Sequence, residues 1–313
     1  MADLHANLRP YVDRVVAGPA AWEVPLEALR AGPELEIPEI WGLPDEVDEV
    51  VDLMIPGPAG PLRVRVYRPR STELLPVVLW FHGGGWVVGT LDSHDPVCRA
   101  LANRTPCVVV AVDYRLAPES PFPAALEDAW AATQWVADEA LKLGADAGRI
   151  VVAGDSAGGN LAAAVALRAR DSGLPLALQA LVYPVTDFDF DSESYARYES
   201  GLNLTRAKMQ WYWQQYLGGA DGLQPEASPL RAPDLAGVAP ALVQVAELDP
   251  LLSEGEAYAV RLAEAGVPVT LTRYDGMIHG FIRMPALVAE ADFSLGQIAS
   301  AVDALPPGGG TAS

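Results

Sequence analysis

Short apolar runs alternate with longer stretches of helical periodicity between residues 76 and 303. Runs of four to seven residues rich in valine, leucine and isoleucine are typical of parallel strands buried on both faces of a sheet. The alternation therefore predicts a doubly wound α/β sheet. The predicted strands are Val77–Phe81, Val108–Val112, Ile150–Ala153, Leu178–Val182, Ala241–Val245 and Val267–Arg273, and the predicted helices lie at about 95–104, 123–143, 157–171, 253–265 and 285–303.

Residues 46–68 show a different pattern, in which apolar and polar positions alternate around a proline- and glycine-rich stretch at 56–61. This pattern predicts an antiparallel hairpin ahead of the parallel strands. The expected core is thus an eight-stranded, mostly parallel sheet flanked by helices. The preceding residues 1–44 carry six prolines between short helical patterns and are expected to form an appendage packed on that core.

A long insertion interrupts the strand–helix rhythm between Val182 and Ala241, and aromatic residues are concentrated in it. Ligands bind at the carboxyl ends of the strands in sheets of this kind, so the insertion is a candidate lid over a site. Some of its aromatic residues would instead pack an ordinary core. Because pockets favour aromatic linings, we expect Trp86, Tyr183, Phe188, Trp211 and Trp213 to line the substrate pocket.

Charge and composition exclude several classes of function. The formal net charge of −20 argues against a nucleic-acid partner, which would need clustered lysine and arginine. No apolar run is long enough to span a membrane, and residues 1–18 do not resemble a signal peptide. Cys98 and Cys107 are expected to be buried thiols, with a disulfide as the less favoured alternative. These features predict a cytoplasmic protein without stable membrane insertion.

The pentapeptide Gly-Asp-Ser-Ala-Gly at 154–158 lies between a predicted strand and a predicted helix. A serine on such a sharp turn is held in strained backbone angles, and small residues two positions before and after it avoid clashes. Gly154 and Gly158 meet that demand. A short motif also arises by chance in a chain with 28 glycines, so a plain glycine-rich turn is the alternative. The flanking strand and helix favour Ser156 as a nucleophile.

A serine nucleophile needs a base, and a histidine base needs a carboxylate to hold its tautomer. His279 follows the last predicted strand, where it can reach the carboxyl edge of the sheet. Asp249 follows the preceding strand, with Glu247 and Asp275 as less favoured acids. The order serine, aspartate, histidine is that of the α/β hydrolases.

The sequence His-Gly-Gly-Gly-Trp at 82–86 follows another predicted strand. Glycines let backbone amides approach an incoming oxygen, so this loop is a candidate oxyanion hole. A flexible strand exit and a phosphate cradle are the alternatives. A phosphate cradle normally has a lysine or a helix N-terminus directly after the glycines, whereas Trp86 follows here.

Five blocks in this order resemble the hormone-sensitive-lipase-like carboxylesterases of the α/β-hydrolase fold. They are His82-Gly83-Gly84-Gly85-Trp86, Asp113-Tyr114-Arg115-Leu116-Ala117-Pro118-Glu119, Gly154-Asp155-Ser156-Ala157-Gly158-Gly159-Asn160, Asp249-Pro250-Leu251 and His279-Gly280-Phe281. The resemblance spans residues 46 to about 300, and Asp155 places the chain in the branch with Gly-Asp-Ser-Ala-Gly. Members often have an acidic residue two positions after the leucine of Asp-Pro-Leu, where this chain has Ser253.

The resemblance implies a role for each matching residue. Ser156 would be the nucleophile, His279 the general base and then acid, and Asp249 its orienting partner. Oxyanion donors would be the amides of three further residues, and one histidine would support the glycine loop: Gly84, Gly85 and Ala157, with His82. The resemblance also implies a cap built from residues 1–44 and 185–225, a catalytic domain at 45–184 and 226–305, and we expect a disordered tail at 306–313.

The function implied is hydrolysis of small esters with short to medium acyl chains through an acyl-enzyme, without metal or organic cofactor. Amidase or formamidase chemistry would use the same residues and is the first alternative. A non-catalytic receptor for a small ligand is the second, although such a protein would ordinarily have lost part of the triad. The expected partner is a small-molecule ester, and a homodimer through the last strand and helix is a further expectation.

Overall fold

The computed structural model describes residues 3–307, which are built around one eight-stranded sheet. The strands lie in the order β1-β2-β4-β3-β5-β6-β7-β8. The pairs β1–β2 and β2–β4 are antiparallel, and the pairs from β4–β3 to β7–β8 are parallel. The predicted α/β class and the eight mostly parallel strands are confirmed. The strands are β1 (Glu49–Gly57), β2 (Gly60–Arg68), β3 (Leu75–Phe81), β4 (Val108–Val112), β5 (Ala145–Asp155), β6 (Leu178–Val182), β7 (Ala241–Leu248) and β8 (Val269–Ile278).

Helices cover both faces of the sheet. Along β3, Val77 and Leu79 belong to a core shared with α5, α6 and α9, whereas Val78 and Trp80 belong to a core shared with α4 and α10. This alternation is the two-residue period of a strand buried on both faces. The helices are α1 (Arg9–Ala17), α2 (Leu26–Leu35), α3 (Ile37–Ile40), α4 (Asp95–Arg104), α5 (Ala124–Glu139), α6 (Ala157–Ser172), α7 (Glu193–Arg197), α8 (Arg206–Leu217), α9 (Leu252–Glu264) and α10 (Ala289–Asp303).

Two predicted helices have different bounds in the structure. The stretch predicted at 123–143 divides into α5 and a 3-10 turn at Ala140–Leu143, which ends at Gly144 with a φ of +71°. The last helix starts at Ala289 rather than 285, because a 3-10 turn at Phe281–Arg283 and Pro285 precede it. Both differences arise where a tighter turn takes over from helical periodicity.

The two segments predicted to form a cap contain α1–α3 and α7–α8. The domain boundaries predicted at 1–44, 45–184, 185–225 and 226–305 stay a prediction. Most of the predicted disordered tail, residues 308–313, lies outside the described residues. Within residues 3–307 no helix combines the length and the apolar character needed to cross a membrane. Cys98 and Cys107 are both buried free thiols.

Candidate active site

Ser156 lies at the sharp turn between β5 and α6, with a φ of +57° and a ψ of −117°. The turn passes so close to the end of β3 that a Cβ atom on Gly158 would lie 1.9 Å from the Phe81 carbonyl oxygen. A Cβ on Gly154 would lie 2.5 Å from the same oxygen. The glycines flanking the serine are therefore required by close packing as well as by the turn.

His279 and Asp249 reach Ser156 from two other strand ends. His279 Nε2 lies 2.8 Å from Ser156 Oγ, and His279 Nδ1 lies 2.7 Å from Asp249 Oδ2. Asp249 is fully buried, and its Oδ1 accepts the N–H of Leu251 at 2.9 Å. A carboxylate at Nδ1 keeps the proton on that nitrogen, which leaves Nε2 free to accept the serine proton.

The two less favoured acids lie elsewhere. Glu247 Oε2 accepts the N–H of Gly276 at 2.8 Å. Asp275 is largely exposed and pairs with Arg273. The structure thus brings Asp249, and neither rival, to His279.

The glycine loop after β3 turns back on itself next to the serine. Gly84 has a φ of +125°, and its carbonyl oxygen accepts the N–H groups of Val87 and Val88 at 3.1 and 3.0 Å. Among residues 3–307, no protein acceptor takes the amide hydrogens of Gly84, Gly85 or Ala157. These three amides are therefore available to an oxygen bound beside Ser156.

The side chain of His82 contacts the glycine loop and Tyr114. Its Nδ1 is 2.8 Å from the Gly83 carbonyl oxygen, and its own carbonyl oxygen accepts the hydroxyl of Tyr114 at 2.7 Å. Its ring stacks on Tyr114 at 4.2 Å. Burial lowers the pKa of His82 to about 3, so the ring is neutral. This setting fits support of the loop rather than proton transfer.

Asp155 and His94 form a buried pair whose contacts the motifs did not reveal. Asp155 Oδ1 accepts the N–H of Gly83 at 2.9 Å and lies 3.2 Å from His94 Nε2. Burial acts to raise the pKa of Asp155, but its contact with His94, the charge of Arg283 and the hydrogen bond from Gly83 outweigh that effect and lower it. The pair ties the residue before the nucleophile to the glycine loop. The sequence carries one signal for this pair: Asp155 ends an apolar strand, and a carboxylate buried there must have a partner.

Ser253, where related sequences often have an acidic residue, bonds to the cap insertion. The N–H of Ser253 donates to Ser194 Oγ at 3.1 Å, and the N–H of Ser194 donates to Ser253 Oγ at 3.2 Å. Ser194 Oγ also donates to the carbonyl oxygen of Pro250 at 2.5 Å. The loop that carries Asp249 is therefore held by neutral hydrogen bonds.

Glu254, the next residue, is buried and has its pKa raised well above the usual range, chiefly by burial. Its Oε1 accepts the N–H groups of Thr186 and Asp187 at 2.7 and 3.3 Å. Below the unfolded-state pKa of about 4.3, Glu254 is protonated in both the folded and the unfolded protein, and its burial does not lower the free energy of unfolding. As the pH rises from there towards the raised folded-state pKa, the free energy of unfolding falls.

We expect Glu254→Gln, which keeps the Oε1 acceptor, to have a higher free energy of unfolding than the parent at pH 8 but not at pH 4. Urea unfolding of both proteins at these two pH values measures the difference; an equal effect at both would contradict it.

A cavity of about 230 Å³ opens over Ser156 and His279. Both cap segments contribute to its walls, together with Gly84 and Gly85 of the loop. Its apolar lining includes Tyr11, Val15, Leu29, Leu204, Met209 and Tyr212.

The predicted aromatic lining was wrong for this cavity, whose walls include none of Trp86, Tyr183, Phe188, Trp211 and Trp213. These rings pack instead against one another and the protein interior. Trp86 stacks on Tyr216 at 4.0 Å, and Trp213 contacts both Trp86 and Phe188. Tyr183 is buried against the His279 ring at 4.6 Å, and Trp211 lies beside Tyr212. Aromatic side chains of this size stabilise the packing of residues 185–225, the predicted cap insertion, on the core.

Arg30 of α2 ties the N-terminal appendage to the loops of the site. Its Nε donates to the Val87 carbonyl oxygen at 3.0 Å, and one of its terminal nitrogens donates to the Ala117 carbonyl oxygen at 3.1 Å. Both terminal nitrogens bond to Glu119 at 2.9 and 2.6 Å. Val87 follows the glycines, so the position of α2 and the shape of the glycine loop depend on each other.

Arg30→Met should lower kcat on a short ester about tenfold with little change in KM, because one hydrogen-bonded charge supports the loop. Arg14→Met removes an exposed pair with Glu39 from the same appendage and should change kcat less than about twofold. Steady-state kinetics on both variants tests this prediction. A further measurement adds guanidinium to Arg30→Gly to restore the missing group. A lower melting temperature with unchanged kcat would show that Arg30 serves stability alone.

Comparison with known proteins gives consistent matches. Residues 78–283 match the family described as alpha/beta hydrolase fold. Carboxylic ester hydrolase LipN of Mycobacterium tuberculosis is 42% identical over 280 residues, covering 87% of this chain and 71% of the relative. Ethyl acetate hydrolase of Pseudomonas putida is 41% identical over 312 residues, covering 96% and 98%. The solved structure of a hyperthermophilic esterase from Pyrobaculum calidifontis has a TM-score of 0.91 at 43% identity, covering 96% and 98%.

Proposed function

The chain belongs to the hormone-sensitive-lipase-like family of the alpha/beta-hydrolase fold, and we propose that it acts as a serine carboxylesterase through Ser156, His279 and Asp249. The observation that carries the proposal is the continuous line of hydrogen-bond distances from Asp249 through His279 to Ser156, facing a cavity. Similar proteins are named for ester hydrolysis, as LipN and ethyl acetate hydrolase are.

Acylation begins when Ser156 Oγ attacks the ester carbonyl and His279 Nε2 takes its proton. The buried Asp249 carboxylate stabilises the imidazolium that forms. His279 then gives the proton to the departing alcohol, which leaves an acyl group on Ser156. Water, activated by His279 in the same way, releases the acid and restores the serine.

The tetrahedral intermediates carry a negative oxygen, and three amides can receive it. Those of Gly84 and Gly85 come from the glycine loop, and that of Ala157 comes from the first turn of α6. Because these donors are fixed by the backbone, little reorganisation accompanies the reaction. The positive end of the α6 dipole adds to their effect.

The substrate proposed is an ester with a short to medium acyl chain, and the small volume of the cavity supports that choice. Amidase activity is the alternative, since the same groups would attack an amide. We expect kcat/KM on p-nitrophenyl esters to peak at short chains and to exceed that on the matched p-nitroanilide. A preference for the anilide would establish the amidase instead, and failure of a fluorophosphonate to label Ser156 would favour the non-catalytic receptor.

Location and assembly also belong to the proposal. A cytoplasmic setting is supported by the two free, buried cysteines, which a reducing compartment preserves. The homodimer would form at β8, which is an edge strand of the sheet. Leu271 and Phe293, on β8 and the neighbouring α10, are exposed apolar side chains there. Sedimentation analysis of Leu271→Asp against the parent tests this interface.

A further inference from the structure

Two basic side chains line the active-site cavity without a carboxylate partner. Of the 21 basic residues, 16 form ion pairs, and the described residues that do not are Arg9, Arg197, Lys208, Arg261 and Arg283. Lys208 and Arg283 both belong to the cavity wall. With 41 acidic residues in the chain, pairing is the rule, so two unpaired cations at one site are unusual.

Lys208 lies close to the catalytic histidine loop. Its Nζ donates to the Asn203 carbonyl oxygen at 3.3 Å, and Asn203 Nδ2 donates to the His279 carbonyl oxygen at 2.6 Å. An ammonium has three donors, and this contact engages one of them. Lys208 also lies in the first turn of α8, whose dipole adds positive potential there.

Arg283 adds a second positive charge to the cavity wall. One of its nitrogens donates to the neutral Pro33 carbonyl oxygen at 2.8 Å, and its charge also helps to lower the pKa of the buried Asp155, which lines the same cavity but makes no ion pair with it. Glu36 also lines the cavity, but its Oε2 accepts the Tyr11 hydroxyl at 3.4 Å, and it makes no ion pair with Lys208 or Arg283.

We infer that the site takes esters carrying a carboxylate, with Lys208 as the residue that recognises it. The inference rests on the proposed esterase function and names its substrate class. A carboxylate entering the cavity would accept a charge-assisted hydrogen bond from the Lys208 ammonium, in a partly buried setting where such bonds are strong. Lys208 would thus determine specificity and take no part in the proton transfers.

The test compares matched anionic and neutral esters. Monoethyl glutarate and ethyl glutaramate differ only by carboxylate against amide on the acyl side, and 4-acetoxybenzoate and 4-acetoxybenzamide differ likewise on the alcohol side. We expect the parent to prefer the anionic member of at least one pair in kcat/KM, by about tenfold, the size of one hydrogen bond to a charged group. Ethanol or acetate release measures the rates, and added salt should reduce the preference.

Lys208→Met keeps the approximate length of the side chain and removes its charge, so the ratio of kcat/KM between the anionic and the neutral ester should fall to about one, whatever the variant's rate on the neutral ester. Glu36→Gln should increase the preference. The matched control is Lys142→Met, which removes the only other lysine; that residue is exposed and pairs with Glu139 at 2.5 Å. No preference in either pair, or one that survives in Lys208→Met, would overturn the inference. Since neutral esters would still be hydrolysed, this outcome differs from failure of the esterase proposal, in which neither ester reacts.

Discussion

Ser156→Ala is expected to lower kcat on a short p-nitrophenyl ester by about 10⁴-fold or more. The hydroxyl it removes is the atom that lies 2.8 Å from His279 Nε2, and the described cavity offers no other serine at the histidine. The residual rate would come from a water activated by His279 beside the amides of Gly84 and Gly85.

The alanine variant should fold, because the side chain of Ser156 makes no hydrogen bond within residues 3–307 other than the one to His279. Circular dichroism and thermal unfolding check this, and Ser172→Ala at the far end of α6 provides a control with parental kcat. Retention of activity by a folded Ser156→Ala protein would refute the nucleophile assignment and, with it, the proposed mechanism.

The strands and the triad could be predicted because their signals are local. The apolar runs at 108–112 and 178–182 coincide with β4 and β6, since a strand buried on both faces is apolar at nearly every position. Ser156, Asp249 and His279 each follow a strand, and parallel strands bring their carboxyl ends to one edge.

The contacts of the cap could not be predicted in the same way. Arg30 contacts Val87 and Glu119, which are 57 and 89 residues away in the sequence. No local sequence pattern predicts contacts over such separations. The aromatic composition of the insertion fits a ligand site as well as a core, so composition alone does not decide between them. Trp213 belongs to the core rather than to the pocket, because its ring is fully buried and contacts Trp86 and Phe188.

Asp249→Asn should lower kcat at neutral pH by about 10⁴-fold, nearly as much as loss of the serine. The contacts of Asp249 explain why so small a change would matter. In the variant, the side-chain oxygen would stay on the N–H of Leu251, so the new NH₂ group would face His279 Nδ1. Nδ1 must then accept, the ring proton moves to Nε2, and His279 can no longer take the proton of Ser156.

Glu247→Gln is the matched control, because it makes the same carboxylate-to-amide change at the rival acid. The Glu247 carboxylate accepts the N–H of Gly276, which a glutamine oxygen can also accept, so kcat should stay within about threefold of the parent. Measuring kcat for both variants on one p-nitrophenyl ester separates the two acids. A severe loss of kcat in Glu247→Gln, with near-normal kcat in Asp249→Asn, would show that Glu247 orients His279. We expect the opposite result, because the carboxylate that lies 2.7 Å from His279 Nδ1 is that of Asp249.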